Sequence, residues 1–132
     1  METMLAVGEG ARQESLTLRV DESAPPSVEL TRADGTVSAH VGADLFECLK
    51  SVRRLLESDG LLICCQGARP SVFPSGMNRQ MSNGRLAYPL RRDPPLTDAD
   101  LVDIFAPADF SEVASIEDQD KAVRDFFGFP KR

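Results

Sequence analysis

Apolar and polar residues alternate through "LTLRV" (16–20), which places Leu16, Leu18 and Val20 on one face of an extended segment. Pro25 and Pro26 break that pattern, and it resumes in "SVELTRADGTVSAHV". There Val28 and Leu30 alternate before Asp34-Gly35, and Val37, Ala39 and Val41 alternate after it. Asp-Gly supplies the positive φ angles of a tight hairpin turn, so two antiparallel strands are expected, sharing one buried face. His40, between the inward-facing Ala39 and Val41, is expected to be exposed.

The period then changes from two to 3.6. In "GADLFECLKSVRRLLESDG", Leu45, Phe46, Leu49, Val52, Leu55 and Leu56 form an apolar stripe, with Glu47, Lys50, Arg54 and Glu57 outward. Gly60 suits the left-handed residue that ends such a helix. The wholly apolar "LLICC" (61–65) reads as a central strand buried on both faces. Pro70 and Pro74 predict an irregular loop, Ser75 caps a short helical turn through "GMNRQM", and Asn83-Gly84 ends it. "RLAYPL" resumes an extended pattern, "DPPLTDAD" is a loop and "LVDIF" (101–105) a further strand. Ser115 caps a final helix with acids in its first turn and Phe126 and Phe127 on its apolar side.

Residues 1–14 read as a flexible polar tail, and 15–132 as a single α+β domain. Its mainly antiparallel sheet is packed by one long helix and a C-terminal helix. The first fifteen residues lack the basic start and apolar run of a signal peptide, and no apolar run approaches the ~20 residues of a membrane span. The three cysteines are odd in number, and with one histidine in the chain they do not suggest zinc. Free buried thiols in a reducing cytoplasm are expected, with no cofactor and no metal.

Charge changes the picture more than size does. A net charge of −6 disfavours a nucleic-acid partner or an anionic membrane. Yet five arginines and no acid lie between Gly60 and Arg92, followed by nine acids and no base from Asp93 to Asp120. Three readings of the arginine segment stay open. The arginines pair with acids of the same chain. Alternatively, Ser75 and Gly76 at a helix start, with Arg69, Arg79 or Arg85, bind an anion. Or Met77, Arg79, Met81 and Tyr88, residue types enriched at interface cores, form a protein-recognition surface.

Signs of catalysis are weaker. Cys48 and His40 offer a nucleophile and a base, but Cys48 sits beside the helical apolar stripe, where a packed thiol is the common outcome. Asp98, Asp100 and Asp103 offer oxygen ligands for a hard cation, although acids in a loop are more often solvated. A non-enzymatic protein is expected.

"LLICCQGARPSVFPSGMNRQMSNGRLAYPLR", followed by "LVDIF", resembles a small uncharacterised bacterial α+β family. The shared features are a strand, a Gly-Ala-Arg loop, a "PSGM" turn and an extended "AY" segment, over residues 44–106. In size, acidity and class the chain is also similar to immunity proteins, which bind and neutralise a secreted antibacterial toxin. That similarity implies a cytoplasmic protein occluding a cognate, basic toxin, with Asp98, Asp100, Asp103 and Asp109 steering the encounter and Arg79, Arg85 and Tyr88 anchoring it. The alternative is a small enzyme or sensor domain holding a phosphorylated or carboxylate metabolite at Arg69, Ser75, Gly76 and Arg79. A secretion chaperone needs a surplus apolar groove, and no such surplus is visible.

Overall fold

In the computed structural model, which describes residues 2–10 and 12–128, four successive strands run antiparallel: β1 (Glu2–Val7), β2 (Gln13–Asp21), β3 (Ser27–Thr31) and β4 (Val37–Val41). The helix α1 (Leu45–Ser58) follows, and β5 (Leu62–Ile63) then pairs with β1, completing a sheet of order β4-β3-β2-β1-β5. A second, three-stranded antiparallel sheet is built from β6 (Val72–Phe73), β7 (Leu86–Pro89) and β8 (Val102–Asp103). Between β6 and β7 lies the short helix α2 (Gly76–Ser82), and α3 (Ile116–Phe127) ends the described chain. The fold is thus α+β, mainly antiparallel sheet packed by helices.

The core lies between α1 and the inner face of the larger sheet. Leu16, Leu18, Val28 and Leu30 meet Phe46, Leu49, Val52 and Leu56 there, all fully buried or nearly so. Each such side chain stabilises the fold by roughly 1.5–3 kcal/mol relative to exposure. Asp44 starts α1 by accepting a hydrogen bond from Glu47 N (2.9 Å), and Gly60 follows its end with φ +75°.

Five expectations are corrected. Most of the expected N-terminal tail is ordered: residues 2–7 form β1, which sits inside the sheet between β2 and β5. Met4 and Ala6 alternate inward there, a signal obscured by the polar "GEGARQE" that follows in the sequence. Met1 and Ala11 of that segment, like Phe129 after α3, lie outside the described residues.

The run 61–65 is an edge rather than a central strand. Leu62 and Ile63 pair with β1, and Cys64 N donates to Leu5 O (2.7 Å). Beyond them the returning chain is bonded through Gln66 N to Ala106 O (2.8 Å), Ala108 N to Cys64 O (3.2 Å) and a bridge between Cys65 and Pro107. Of 101–105 only Val102 and Asp103 are strand. Ile104 leaves it, because its carbonyl accepts from Gly67 N (2.8 Å) and its side chain is wholly buried.

The largest correction concerns β4, whose faces are reversed. The turn spans Arg32 to Thr36, with Arg32 N bonded to Thr36 O (2.9 Å) and Gly35 at φ +87°. It therefore has one central residue more than the tight turn expected, and Val28 faces His40 while Leu30 faces Ser38. A slip of one residue sends every side chain to the other face. Val37, Ala39 and Val41 therefore point outward and His40 is buried. In α1 the stripe is buried as expected at Leu45, Phe46, Leu49, Val52 and Leu56, but Leu55 is at the exposed margin and Arg53 is buried.

Candidate functional site

The arginine segment is a string of short elements tied to the core. A 3-10 turn (Gln66–Ala68) leads into β6, after which Ser75 caps α2. Ser75 Oγ accepts from Asn78 N (3.1 Å), and Asn78 Oδ1 accepts in return from Ser75 N (3.1 Å). Asn83, in the left-handed conformation at φ 56°, closes the helix, as expected of Asn-Gly. Gly84 then passes so close to α1 that a Cβ there would lie 3.1 Å from Asp44 Cγ.

Each arginine of the segment has a partner within the chain. Arg79 Nη1 donates to Asp44 Oδ2 (2.7 Å) and Glu47 Oε2 (3.3 Å), and its guanidinium lies over the rings of Phe46 and Phe73. Arg85 lies over Phe105, donates from Nε to Asp103 Oδ2 (3.1 Å), and pairs with Glu2 and Glu22. Arg69 bonds Gln66 Oε1 (2.9 Å) and approaches Glu112 Oε2 (3.7 Å). Arg91 donates to Asp100 Oδ2 (3.0 Å) and Pro94 O (2.9 Å). Arg92 donates to Phe126 O and lies over its ring. Partly exposed pairs of this kind contribute about 0–1 kcal/mol each, so their main effect is to fix where the segment lies.

This pairing separates the parts of an anion site. Ser75 and Gly76 are exposed at the start of α2, while Arg79 turns to α1 and Arg69 to the 3-10 turn. A nearby cavity of ≈ 210 Å³ is lined by Phe73, Ser75, Asn78, Tyr88, Leu90 and Phe126. It is smaller than the ~300–1,000 Å³ usual for small-molecule sites.

The acids divide likewise. Asp100 accepts from Thr97 N (2.8 Å) as well as Arg91, and these bonds hold its carboxyl below the usual range. Asp103 accepts from Phe105 N (2.9 Å) and Arg85. Asp98 accepts from the Tyr88 hydroxyl (3.1 Å) yet remains exposed, and Asp109 is exposed at the start of a turn from Phe110 to Glu112. Among the described residues, no three His, Cys, Asp or Glu are grouped to hold a metal ion.

Cys48 and His40 are not brought into one reactive pair. Cys48 Sγ donates to Pro26 O (3.4 Å), and burial pushes its thiol pKa up. Cys65 is pushed up to about 12 by the same cause. The His40 ring lies between the hydroxyls of Ser38 and Ser51, each 2.8 Å away. Burial lowers the His40 pKa below its ordinary 6.5, so protonation opposes folding. Its contribution to stability is full above the unfolded pKa and declines as pH falls through the folded one. Urea unfolding of wild type and His40→Gln at pH 7.5 and 5.5 checks this. The difference between them is expected to move against wild type at the lower pH, and a constant difference would show that His40 titrates alike folded and unfolded.

What these contacts leave open is α2's outer face. Met77 is 72% exposed and Met81 81% exposed, one helical turn apart, with Leu86 exposed nearby in sequence. Sequence reasoning identified Met77 and Met81 but missed the residues that hold this face out: Asp44 and Glu47, which receive Arg79, and the Phe46–Phe73 pair beneath it, with rings 5.2 Å apart. No pattern in the sequence relates those acids to Arg79, more than thirty residues away. None of the described helices is long and apolar enough to cross a membrane. No protein-family model and no curated protein matches the chain.

Proposed function

We propose that this chain is a non-catalytic, immunity-type binding protein that neutralises a cognate, basic antibacterial toxin in the cytoplasm by covering its working surface. The observation that carries this reading is the pair of exposed methionines on a clamped helix. Met77 and Met81 face solvent while Arg79, between them in sequence, fastens α2 to α1. Methionine is enriched at interfaces, and its flexible thioether adapts to a partner's shape. Asp98 and Asp109 remain exposed to attract a basic partner, whereas Asp100 and Asp103 serve the fold. Arg79 and Arg85 act in this reading as clamps that present the surface, not as anchors.

The test is capture of the partner by wild type and by a Met77→Ala/Met81→Ala variant whose thermal melt is unchanged. One stoichiometric partner is expected, toxic when expressed alone and harmless beside wild type, with affinity at least about tenfold weaker for the variant, equivalent to ~1.4 kcal/mol. Its association rate is expected to fall steeply with added salt. Equal binding by both proteins would remove α2 from the interface, and a partner that is harmless alone would defeat the immunity reading.

A further inference from the structure

The two edges of the larger sheet are treated differently. At β5 the edge is only two residues long, and the chain at 106–108 bonds to Cys64, Cys65 and Gln66 immediately after it. β4 is five residues long, and among the described residues its outer edge has no hydrogen-bond partner. Exposed edges are usually blunted by lysine, proline or a bulge. β4 has none of these: from Gly35 to Ala43 the sequence is "GTVSAHVGA", without a charge or a proline. Val37 is 56% exposed and Val41 60% exposed, with exposed Ala39 between them.

The hairpin geometry sets which backbone groups are free. The bond from Arg32 N to Thr36 O fixes 30↔38 and 28↔40 as the pairs that bond across to β3. The N–H and C=O groups of Val37, Ala39 and Val41 consequently point away from the sheet. Three residues, alternating along one strand, offer both unpaired backbone groups and an apolar row on the sheet's outer face.

We propose that β4 is a self-association edge, pairing antiparallel with β4 of a second copy about a two-fold axis at Ala39. Self-complementarity favours a second copy over another partner. About that axis Val37 meets the partner's Val41, and Ala39 meets the partner's Ala39. The outward groups of the two strands form about six hydrogen bonds, and the two sheets become one. The neutral strip lets copies carrying −6 each approach without burying a charge. One strand pair covers less than the ~1,200 Å² of a standard interface, which puts the affinity in the micromolar range or weaker. Residual repulsion between like-charged copies is screened by salt, so added salt strengthens this association, opposite to its effect on an encounter steered by unlike charge. The proposal is independent of the α2 reading, and Met77→Ala/Met81→Ala leaves it unchanged.

Sedimentation velocity and light scattering over about 10 µM to 1 mM test it. Wild type is expected to shift from monomer to dimer mass, more completely at higher salt. Val41→Lys is expected to stay monomeric with an unchanged melt. Directly opposed residues in such a pair have Cα atoms ~5.5 Å apart, within disulfide range. Ala39→Cys is therefore expected to form a disulfide-linked dimer on mild oxidation, the native cysteines being buried. Wild type that remains monomeric at the highest concentration, a Val41→Lys variant that still dimerises, or mass that grows without stopping at two copies would each overturn the proposal.

Discussion

Arg53→Ala is expected to cost about 3–5 kcal/mol of stability, lowering the melting temperature by on the order of 10 °C or more. Arg53 sits in the middle of α1 with 1% of its side chain exposed. Its Nη1 donates to Gln119 Oε1 (2.6 Å) and Gly67 O (3.3 Å), and its Nη2 to Ala114 O (3.1 Å). Gln119, also fully buried, donates from Nε2 to the carbonyls of Gly67, Arg69 and Val72. Together these two side chains fasten α3 and the chain before it to the loop that leads into β6. Truncating Arg53 leaves a cavity, removes the donor to the Gln119 side-chain oxygen and to the part-buried Ala114 carbonyl, takes one of two donors from Gly67 O, and leaves Glu57 without the Arg53 cation.

The charge itself is not the source of the stability. Burial lowers the pKa of Arg53 and raises that of Glu57, so each charged form is disfavoured where it sits. Their closest approach is 3.8 Å, and Arg53 Nε has no hydrogen-bond partner among the described residues. What stabilises the fold is the set of donors fitted to three oxygens. Arg53→Met, which keeps most of the volume, is therefore expected to lose about 1–3 kcal/mol, the cost of orphaned buried acceptors. Chemical unfolding of Arg53→Ala, Gln119→Ala and the double variant checks the joint action: the two losses are expected to fall well short of additive. Full additivity, or an Arg53→Ala midpoint near wild type, would show that the buried network is dispensable.

How far the sequence exposes this arrangement depends on the range over which each signal acts. Local signals are legible: the Ser75 and Ser115 caps, the left-handed Asn83 and Gly60, and the α1 stripe all depend on neighbours within a turn. Signals of phase are fragile. "TRADGTV" accommodates two hairpin lengths, and the longer one reverses β4 and buries His40. Arg53 follows Leu49 by four residues and precedes Leu56 by three, so helical phase does place it inward, against the preference of its charge. Its acceptance there depends on Gln119 and two carbonyls far along the chain, which periodicity does not record. The candidate surface is legible to the same degree. Met77 and Met81 are picked out by residue type alone, whereas their exposure and the commitment of every arginine in the segment to an internal partner are set by the tertiary fold.

Gly67→Ala is expected to destabilise the protein by about 1–3 kcal/mol, through overpacking where no side chain fits. A Cβ at this position would lie 2.5 Å from Leu49 Cδ2, 3.0 Å from Ile104 Cβ and 3.1 Å from Ile104 O. The Leu49 methyl can swing aside, but Ile104 is held by its own backbone, because Gly67 N donates to Ile104 O (2.8 Å) and Ile104 N donates to Arg85 O (2.9 Å). Relief therefore requires the loop to move, and that loop carries the Gly67 carbonyl shared by Arg53 and Gln119. The glycine is required for close approach rather than for an unusual backbone angle. Gly76→Ala provides the contrast: a Cβ there meets nothing within 4 Å, and alanine at the first position of α2 is expected to leave stability unchanged or raise it by about 0.4–1 kcal/mol. Urea unfolding of the two variants side by side distinguishes crowding from a general intolerance of substituted glycines in this segment. Equal stability of both would mean that the Ile104 segment yields freely, and that the close approach at Gly67 does not constrain the fold.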